Sequence, residues 1–216
     1  NNRGGWAKLE FSKTEHLTSE GYFTYLKEFK GGHSLNAVAG YSYFEKNGEN
    51  FNAENYDFGV EGLKYWDLGA GSYLTDGKAA MGSGKNITER LFALYARANY
   101  SYNDKYMVSA TIRHEGSSKF AAENRWGNFW ALSGGWRVSA EEFMKEFDWV
   151  SDLKVRFGYG VTGNNDFDAS YMANTLSRDQ YWMLPSGSWA YVYGPSSNVN
   201  PYLGWEEKKE WNIGVD

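Results

Sequence analysis

Phe92-Ala93-Leu94-Tyr95-Ala96-Arg97-Ala98-Asn99-Tyr100-Ser101-Tyr102 runs into Asn103-Asp104 and leaves as Lys105-Tyr106-Met107-Val108-Ser109-Ala110-Thr111-Ile112-Arg113. In the first limb the even positions are apolar or aromatic, while Arg97, Asn99 and Ser101 occupy odd ones. In the second, Tyr106, Val108, Ala110 and Ile112 oppose Lys105, Ser109, Thr111 and Arg113. A period of two puts alternate residues on opposite faces, so each limb reads as a strand with one apolar and one polar face. Asn103-Asp104 between them is a two-residue hairpin turn.

The same alternation extends outward in both directions. Trp130, Leu132, Trp136 and Val138 oppose Ser133 and Arg137, and Leu153, Val155, Phe157, Tyr159 and Val161 oppose Lys154, Arg156 and Thr162. Trp211, Ile213 and Val215 alternate with Asn212 and Asp216, and Leu35, Ala37, Ala39, Tyr41 and Tyr43 form an earlier run. Weaker strands are expected over about 6–13 and 20–30, for about eight in all.

Composition narrows the class. Lys+Arg 22 against Asp+Glu 27 gives a net charge of −5, which rules out a nucleic-acid binder driven by bulk positive charge. With no cysteine there are no disulfides, no Cys-ligated zinc and no thiol catalysis. No apolar run approaches the roughly 20 residues of a membrane helix. Aromatic residues make up 19% of the chain and carry its hydrophobicity, which argues against disorder. No secretory leader is visible, so the numbering is expected to begin after processing or inside a longer chain.

Alternation alone does not separate a water-facing sandwich from a membrane barrel, but the connections do. In order they are Thr14–Ser19, the Gly31-Gly32 turn, Asn47–Ile87, Asn103-Asp104, Gly116–Gly127, Ser139–Ser151 and Gly163–Gly204. Every second connection is short or compact and those between are longer, the rhythm of an antiparallel transmembrane barrel with short periplasmic turns and long outer loops. Tyr100, Tyr102 and Tyr106 flank one turn and Trp136 sits near the next, as an interfacial aromatic girdle requires. Within Ser139–Ser151, a short helix is expected over 140–147, capped by Ser139, with Phe143 and Phe147 sharing a face as a structural plug on a periplasmic turn.

The order of motifs carries a resemblance. Tyr102–Arg113 leads into Gly116-Ser117-Ser118-Lys119-Phe120, then Asn124-Arg125-Trp126-Gly127, Gly135-Trp136-Arg137-Val138-Ser139 and Glu142-Phe143. Asp152-Leu153-Lys154-Val155-Arg156 and Gly158-Tyr159-Gly160-Val161-Thr162-Gly163-Asn164 follow, then Asn200-Pro201, Leu203, Trp205-Glu206 and Trp211–Asp216. This series resembles the C-terminal half of the barrel in SusC/RagA-type TonB-dependent outer-membrane transporters. Arg113-His114-Glu115 stands where the family usually has Arg-x-Asp, and Phe129-Trp130 where Phe-Pro is common. The resemblance implies a barrel of about 22 strands filled by an N-terminal plug, preceded by a segment that contacts TonB. No residues here match those upstream parts, so residues 1–216 are expected to be a partial barrel domain, about a third of the whole.

The resemblance also implies energised import of bulky nutrients, glycans or peptides, across the outer membrane of a Bacteroidetes-like Gram-negative cell. TonB and a SusD-like surface lipoprotein are the implied partners, with outer-membrane lipid around the barrel. No enzymatic activity, cofactor, metal or nucleic acid is expected. Two rivals remain at this point. One is a free-standing eight-stranded barrel whose first strand pairs with Trp205–Asp216; the other is a soluble aromatic-rich carbohydrate-binding β-domain.

Candidate side chains follow. Arg97, Arg113, Arg137, Lys154 and Arg156 lie on the polar parity and are expected to face a hydrated lumen. In the loop Phe167–Gly204, Tyr171, Tyr181, Trp182, Trp189, Tyr191 and Tyr193 offer flat faces for sugar rings, and Arg178 a donor for hydroxyls. Tyr181, Trp182, Trp189, Tyr191 and Arg178 are therefore candidate substrate or lipoprotein contacts, against the alternative that the rings only pack the loop. Gly82-Ser83-Gly84-Lys85 lacks the upstream glycine and the Ser/Thr of a phosphate loop. The oxygens of 164–168 lack calcium-loop spacing and read as a hydrated loop start, with Gly163, Gly116 and their Asn or Ser neighbours tolerating positive φ. His16, His33 and His114 are too scattered for catalysis, and His114 is expected at the interface on the outward face.

Overall fold

The computed structural model describes residues 5–59, 66–86, 88–147, 149–167, 176–195 and 200–216, with the backbone alone at 177–180. The period-two runs are strands: β1 (Trp6–Phe29), β2 (His33–Tyr56), β3 (Ala80–Lys85), β4 (Glu89–Tyr102), β5 (Tyr106–Ser117), β6 (Trp126–Arg137), β7 (Lys154–Asn164), β8 (Leu176–Met183), β9 (Trp189–Pro195) and β10 (Glu206–Val215). The sheet order is β1-β2-β4-β5-β6-β7-β10, with β3 on β2 and a separate β8-β9 pair. Every register resolved between these strands is antiparallel.

Two compact units divide the chain, Asn1–Leu17 with Lys46–Thr88, and Thr18–Glu45 with Glu89–Asp216. In the first, Glu49–Glu54 of β2 pair with Ala80–Lys85. Buried Asn55 donates to the carbonyls of Leu68 (2.7 Å) and Gly71 (2.8 Å), and Asp57 accepts from Ser72 at 2.7 Å, folding a short 3-10 turn and α1 (Ser72–Thr75) against the strand end. The second unit contains the ladder read from the sequence.

In that ladder the two parities become two faces. Tyr102↔Tyr106↔Trp136↔Val155↔Val215 form one cross-strand row, Tyr100↔Val108↔Gly134↔Phe157↔Ile213 the next, and Ala98↔Ala110↔Leu132↔Tyr159↔Trp211 the third. These side chains are not covered by the protein: Leu132 is 49% exposed, Ile112 53% and Trp211 71%. The opposite face carries Asn99↔Ser109↔Ser133↔Gly158↔Asn212 and Arg97↔Thr111↔Ala131↔Gly160. At the turn, Asn103 and Asp104 both have positive φ (50° and 56°), the pair of left-handed residues that matches a two-residue loop to strand twist.

Several expectations change. Thr14–Ser19 is no connection: β1 runs straight through it as a 24-residue strand, paired along β2 and with no Gly or Pro between 14 and 19 to break it. Among its described residues, Asn47–Ile87 is mostly strand and turn rather than loop, since β2 continues to Tyr56 and β3 follows. Gly163–Gly204 contains the β8-β9 hairpin, and β6 starts at Trp126 rather than near 130. The helix expected over 140–147 is replaced by 3-10 turns at Val138–Ala140 and Glu142–Met144, with Phe143 and Phe147 exposed instead of packed as a plug. Ser139 caps nothing; its hydroxyl donates to Asp152 at 2.6 Å. The closed ladder of the free-standing barrel is not formed, because β10 pairs with β7 and β1 stands at the other end of the strand order.

Candidate functional site

The polar face is built by strand parity, and both arginines at its crowded end have carboxylate neighbours. Arg137 and Lys154 sit directly opposite each other, an unfavourable like-charge pair in a ladder. Asp152, 3.5 Å from Arg137, offsets it from one side, and the neighbouring Arg156 is paired separately with Asp216 at 2.6 Å. The Ser139 hydroxyl, with Arg137 assisting, holds the Asp152 carboxyl below the usual carboxylate range. Further along, Arg113 donates to both oxygens of Glu115 (2.7 and 3.1 Å) and to Ser42 (3.3 Å), and Arg97 donates to Thr111 at 3.3 Å. Arg137, Lys154 and Arg156 are thus gathered near the turn end, with Arg97 and Arg113 spread toward the loop end. Lys154, Arg156, Asn99, Ser133 and Asn212 border an open groove of about 460 Å³, which Gly135 and Gly158 also line.

At the loop end the same face turns aromatic, which the residue pattern did not announce. Phe120, 2% exposed, packs on Phe167 and Trp205 at centroid distances of 5.1 and 5.2 Å, and Trp205 meets Phe129 edge-on at 5.0 Å. Gly127 and Gly163 make space for it: a Cβ at either would fall 2.4 or 2.1 Å from the Phe129 ring. Gly116 likewise leaves room for the Trp126 ring, at 2.7 Å. Neither Gly116 nor Gly163 has positive φ, so their role is space, not the turn freedom expected of them. Polar bonds lock the cluster: Trp205 Nε1 donates to the Arg125 carbonyl (3.0 Å), Lys119 Nζ to the Phe167 carbonyl (3.0 Å), and Asn165 Nδ2 to Ser117 Oγ (3.3 Å). The excursion between β7 and β10 is therefore held at both ends. Its start is closed by Asp166 N–H donating to Asn164 Oδ1, an Asx turn; Asp168, the last oxygen of the calcium reading, lies outside the described residues.

Within that excursion, Tyr181↔Tyr191 and Met183↔Trp189 are directly opposite pairs and share one face of the β8-β9 hairpin, whereas Trp182↔Ala190 lie on the other. The two tyrosine rings are 4.4 Å apart and their hydroxyls are hydrogen-bonded. Trp182 and Trp189 are 66% and 65% exposed. The structure thus brings Tyr181, Tyr191 and Trp189 together and separates Trp182 from them. The Arg178 side chain and Tyr171 lie outside the described residues.

Two aromatic belts mark the ends of the apolar face. At the turn end, Tyr102 and Tyr106 stack at 6.4 Å, and His33 joins through Tyr102 (4.6 Å) and a 2.6 Å bond to the Tyr100 hydroxyl. Glu141 accepts from Tyr106 Oη (2.5 Å), Trp136 Nε1 (3.1 Å) and Lys105 Nζ (3.2 Å), which together hold its carboxyl below the usual range. At the loop end, Phe92 meets Trp126 edge-on at 6.3 Å, and His114, on the outward parity, stacks on Trp126 at 4.7 Å and bonds Asn128 at 2.8 Å. Phe92 to Tyr102 on β4 and Trp126 to Trp136 on β6 are each ten residues. At about 3.4 Å per residue and a tilt of about 40°, that is about 26 Å along the normal, against an apolar band of about 25 Å in transmembrane barrels.

Comparison with known proteins agrees with this geometry. TonB-dependent receptor P39 of Formosa agariphila is 34% identical over 208 residues, covering 92% of this chain and 18% of its own. TonB-dependent receptor SusC of Bacteroides thetaiotaomicron is 36% identical over 128 residues, covering 58% of this chain and 13% of its own. The RagAB peptide importer in its closed-closed state superposes with a TM-score of 0.75 at 23% identity, over 97% of this chain and 22% of that one. The chain spans about a fifth of the length of these relatives. The family model described as TonB dependent receptor-like, beta-barrel, matches residues 1–216, and the chain belongs to that family.

Proposed function

We propose that this chain is a section of the barrel wall of a TonB-dependent outer-membrane importer of bulky nutrients, glycans or peptides. The observation that carries this reading is the two-faced ladder. An apolar face left uncovered across five strands far exceeds the patches that soluble monomers expose, and it is bounded by aromatic belts at bilayer spacing. The other face, with Arg97, Arg113, Arg137, Lys154 and Arg156, lines the water-filled side. On this reading a plug, TonB and a SusD-like surface lipoprotein belong to the full-length importer, with TonB supplying the energy; the relatives' names, TonB-dependent receptors and a peptide importer, support the TonB link and import.

The β8-β9 hairpin is the part that meets cargo or the lipoprotein. Tyr181, Tyr191 and Trp189 on one face offer exposed aromatic rings suited to sugar rings or peptide side chains, with Arg178 in the same strand as Tyr181. Because Trp182 lies on the opposite face, Trp189→Ala and Trp182→Ala separate the two surfaces. In the full-length importer, W189A is expected to lower uptake or lipoprotein binding at least several-fold, and W182A to do so less. Unchanged uptake and unchanged partner binding in both variants would remove the hairpin from the mechanism.

A further inference from the structure

We propose that the connection between β6 and β7, residues 138–153, is a lipid anchor that seats Phe143, Phe147 and Trp149 in the headgroup layer beside the turn-end aromatic belt. The inference rests on the membrane reading given above and adds a bilayer-binding role to a segment outside the strands.

Position comes first. Tyr106 and Trp136 belong to the outward face, and both donate to Glu141, as does Lys105. The connection is therefore tied by Glu141, its first carboxylate, to the side of the sheet that faces lipid, not to the opposite face. The polar edges of the belt, which would otherwise meet headgroups alone, are taken up by the connection itself.

Compaction keeps the rest of the segment near that tie. Met144 N–H donates to the Glu141 carbonyl (3.1 Å), Phe147 to Met144 (3.0 Å) and Val150 to Phe147 (3.0 Å), a succession of tight turns. Ser139 N–H donates to the Leu153 carbonyl at 3.1 Å and closes the base. Phe143 follows Glu141 by two residues, and the turns hold Phe147 and Trp149 within the same short coil.

Exposure then selects the occupant. Phe143, Phe147 and Trp149 are 56%, 45% and 84% exposed, three large aromatic side chains within seven residues and none of them packed into the fold. Aromatic rings of this kind partition to the boundary between hydrocarbon and headgroups, and here they continue an aromatic belt already at that level. Residues 138–153 hold five carboxylates against the single ammonium of Lys145, which is itself paired with Glu142 at 2.8 Å. Charge therefore gives no attraction to anionic lipid, and the fitting surface is a zwitterionic bilayer engaged through the rings.

The test uses the full-length protein in vesicles of phosphatidylethanolamine and phosphatidylcholine, with nitroxide labels placed singly through Phe143→Cys, Phe147→Cys or Trp149→Cys on a background free of other cysteines. Leu132→Cys marks the middle of the apolar band and Asp104→Cys the turn tip. Unboiled gel mobility checks that each barrel has folded. The expected result is a ratio of oxygen to nickel-chelate accessibility at 143, 147 and 149 shifted from the Asp104 value toward that of Leu132. A ratio equal to that of Asp104, with Leu132 membrane-deep, would overturn the anchor and leave the barrel reading intact. Shielding from both reagents would also overturn it, in favour of a protein partner. Nickel access at Leu132 would instead overturn the membrane reading. As a second measurement, Trp149→Phe should lose part of the fluorescence quenching caused by lipids brominated near the headgroup; no loss counts against the anchor.

Discussion

Gly163 shows how far a single missing side chain reaches. Its bare backbone lets the Phe129 ring lie where a Cβ would sit 2.1 Å away, and Phe129 in turn meets Trp205, which meets buried Phe120. Gly163→Ala is expected to destabilise the loop-end cluster by about 1–3 kcal/mol, the usual range for forcing an extra methyl into a packed site. The same change in a Phe129→Ala background should have little effect, since the ring it strikes is gone. Chemical denaturation of the full-length barrel, run as a double-mutant cycle, reads the difference; equal effects in the two backgrounds would show that the steric account is wrong.

At the scale of the element, Glu141 decides what the β6-β7 connection becomes. Its backbone is extended (φ −80°, ψ 150°), and its carboxylate is held by Tyr106, Trp136 and Lys105. An eight-residue helix is poorly nucleated on its own, and this tie interrupts it near its start, leaving 3-10 turns. Because these donors depress the folded-state pKa of Glu141, the stabilisation they give is complete above the ordinary carboxylate value of 4.5 and is lost as pH falls through the depressed value. Hydrogen-exchange protection of residues 138–153, corrected for intrinsic rates, is expected to fall in that acid window. Glu141→Gln should remove its own share of the pH dependence, and a variant that titrates like the parent would exclude Glu141 as the group responsible. Such a tie depends on residues 35 apart in sequence, Tyr106 and Glu141, which is why pattern reading favoured a helix. Local alternation, by contrast, is written in adjacent residues, so β4 to β7 and β10 were legible from Phe92 onward. The hairpin β8-β9 was not, because Leu176–Met183 mixes charges and aromatics without a two-residue period. Nor were the glycines of the aromatic cluster, since a need for space leaves no pattern in the chain. Of the candidate site, the polar parity of Arg97, Arg113, Arg137, Lys154 and Arg156 was visible; their carboxylate partners Asp152 and Asp216, and the facing of Trp189 away from Trp182, required the register.

For the molecule as a whole, the decisive asymmetry is between the two faces of one sheet. Leu132→Arg, at the middle of the apolar face, is expected to destabilise the barrel in a bilayer by about 2–4 kcal/mol, the range for a cation at the midplane. Arg97→Leu on the opposite face should change stability much less. Equilibrium unfolding of the full-length protein in vesicles measures both, and equal effects would contradict the assignment of lipid and water to these faces. The strand order has a consequence for assembly. β4 to β5 closes over a turn of Asn103 and Asp104 with Lys105, whereas β7 meets β10 only after 41 residues, 165–205, have gone out and returned. Bringing the ends of the longer loop together costs about 2.5 kcal/mol more in chain entropy than closing the short turn. The neighbouring hairpins can therefore zip in sequence, and the β7–β10 seam waits on a rarer encounter. The Phe120, Phe167 and Trp205 contact lies at that seam: it holds the returning chain one residue ahead of β10 and so restricts the register in which β10 can meet β7.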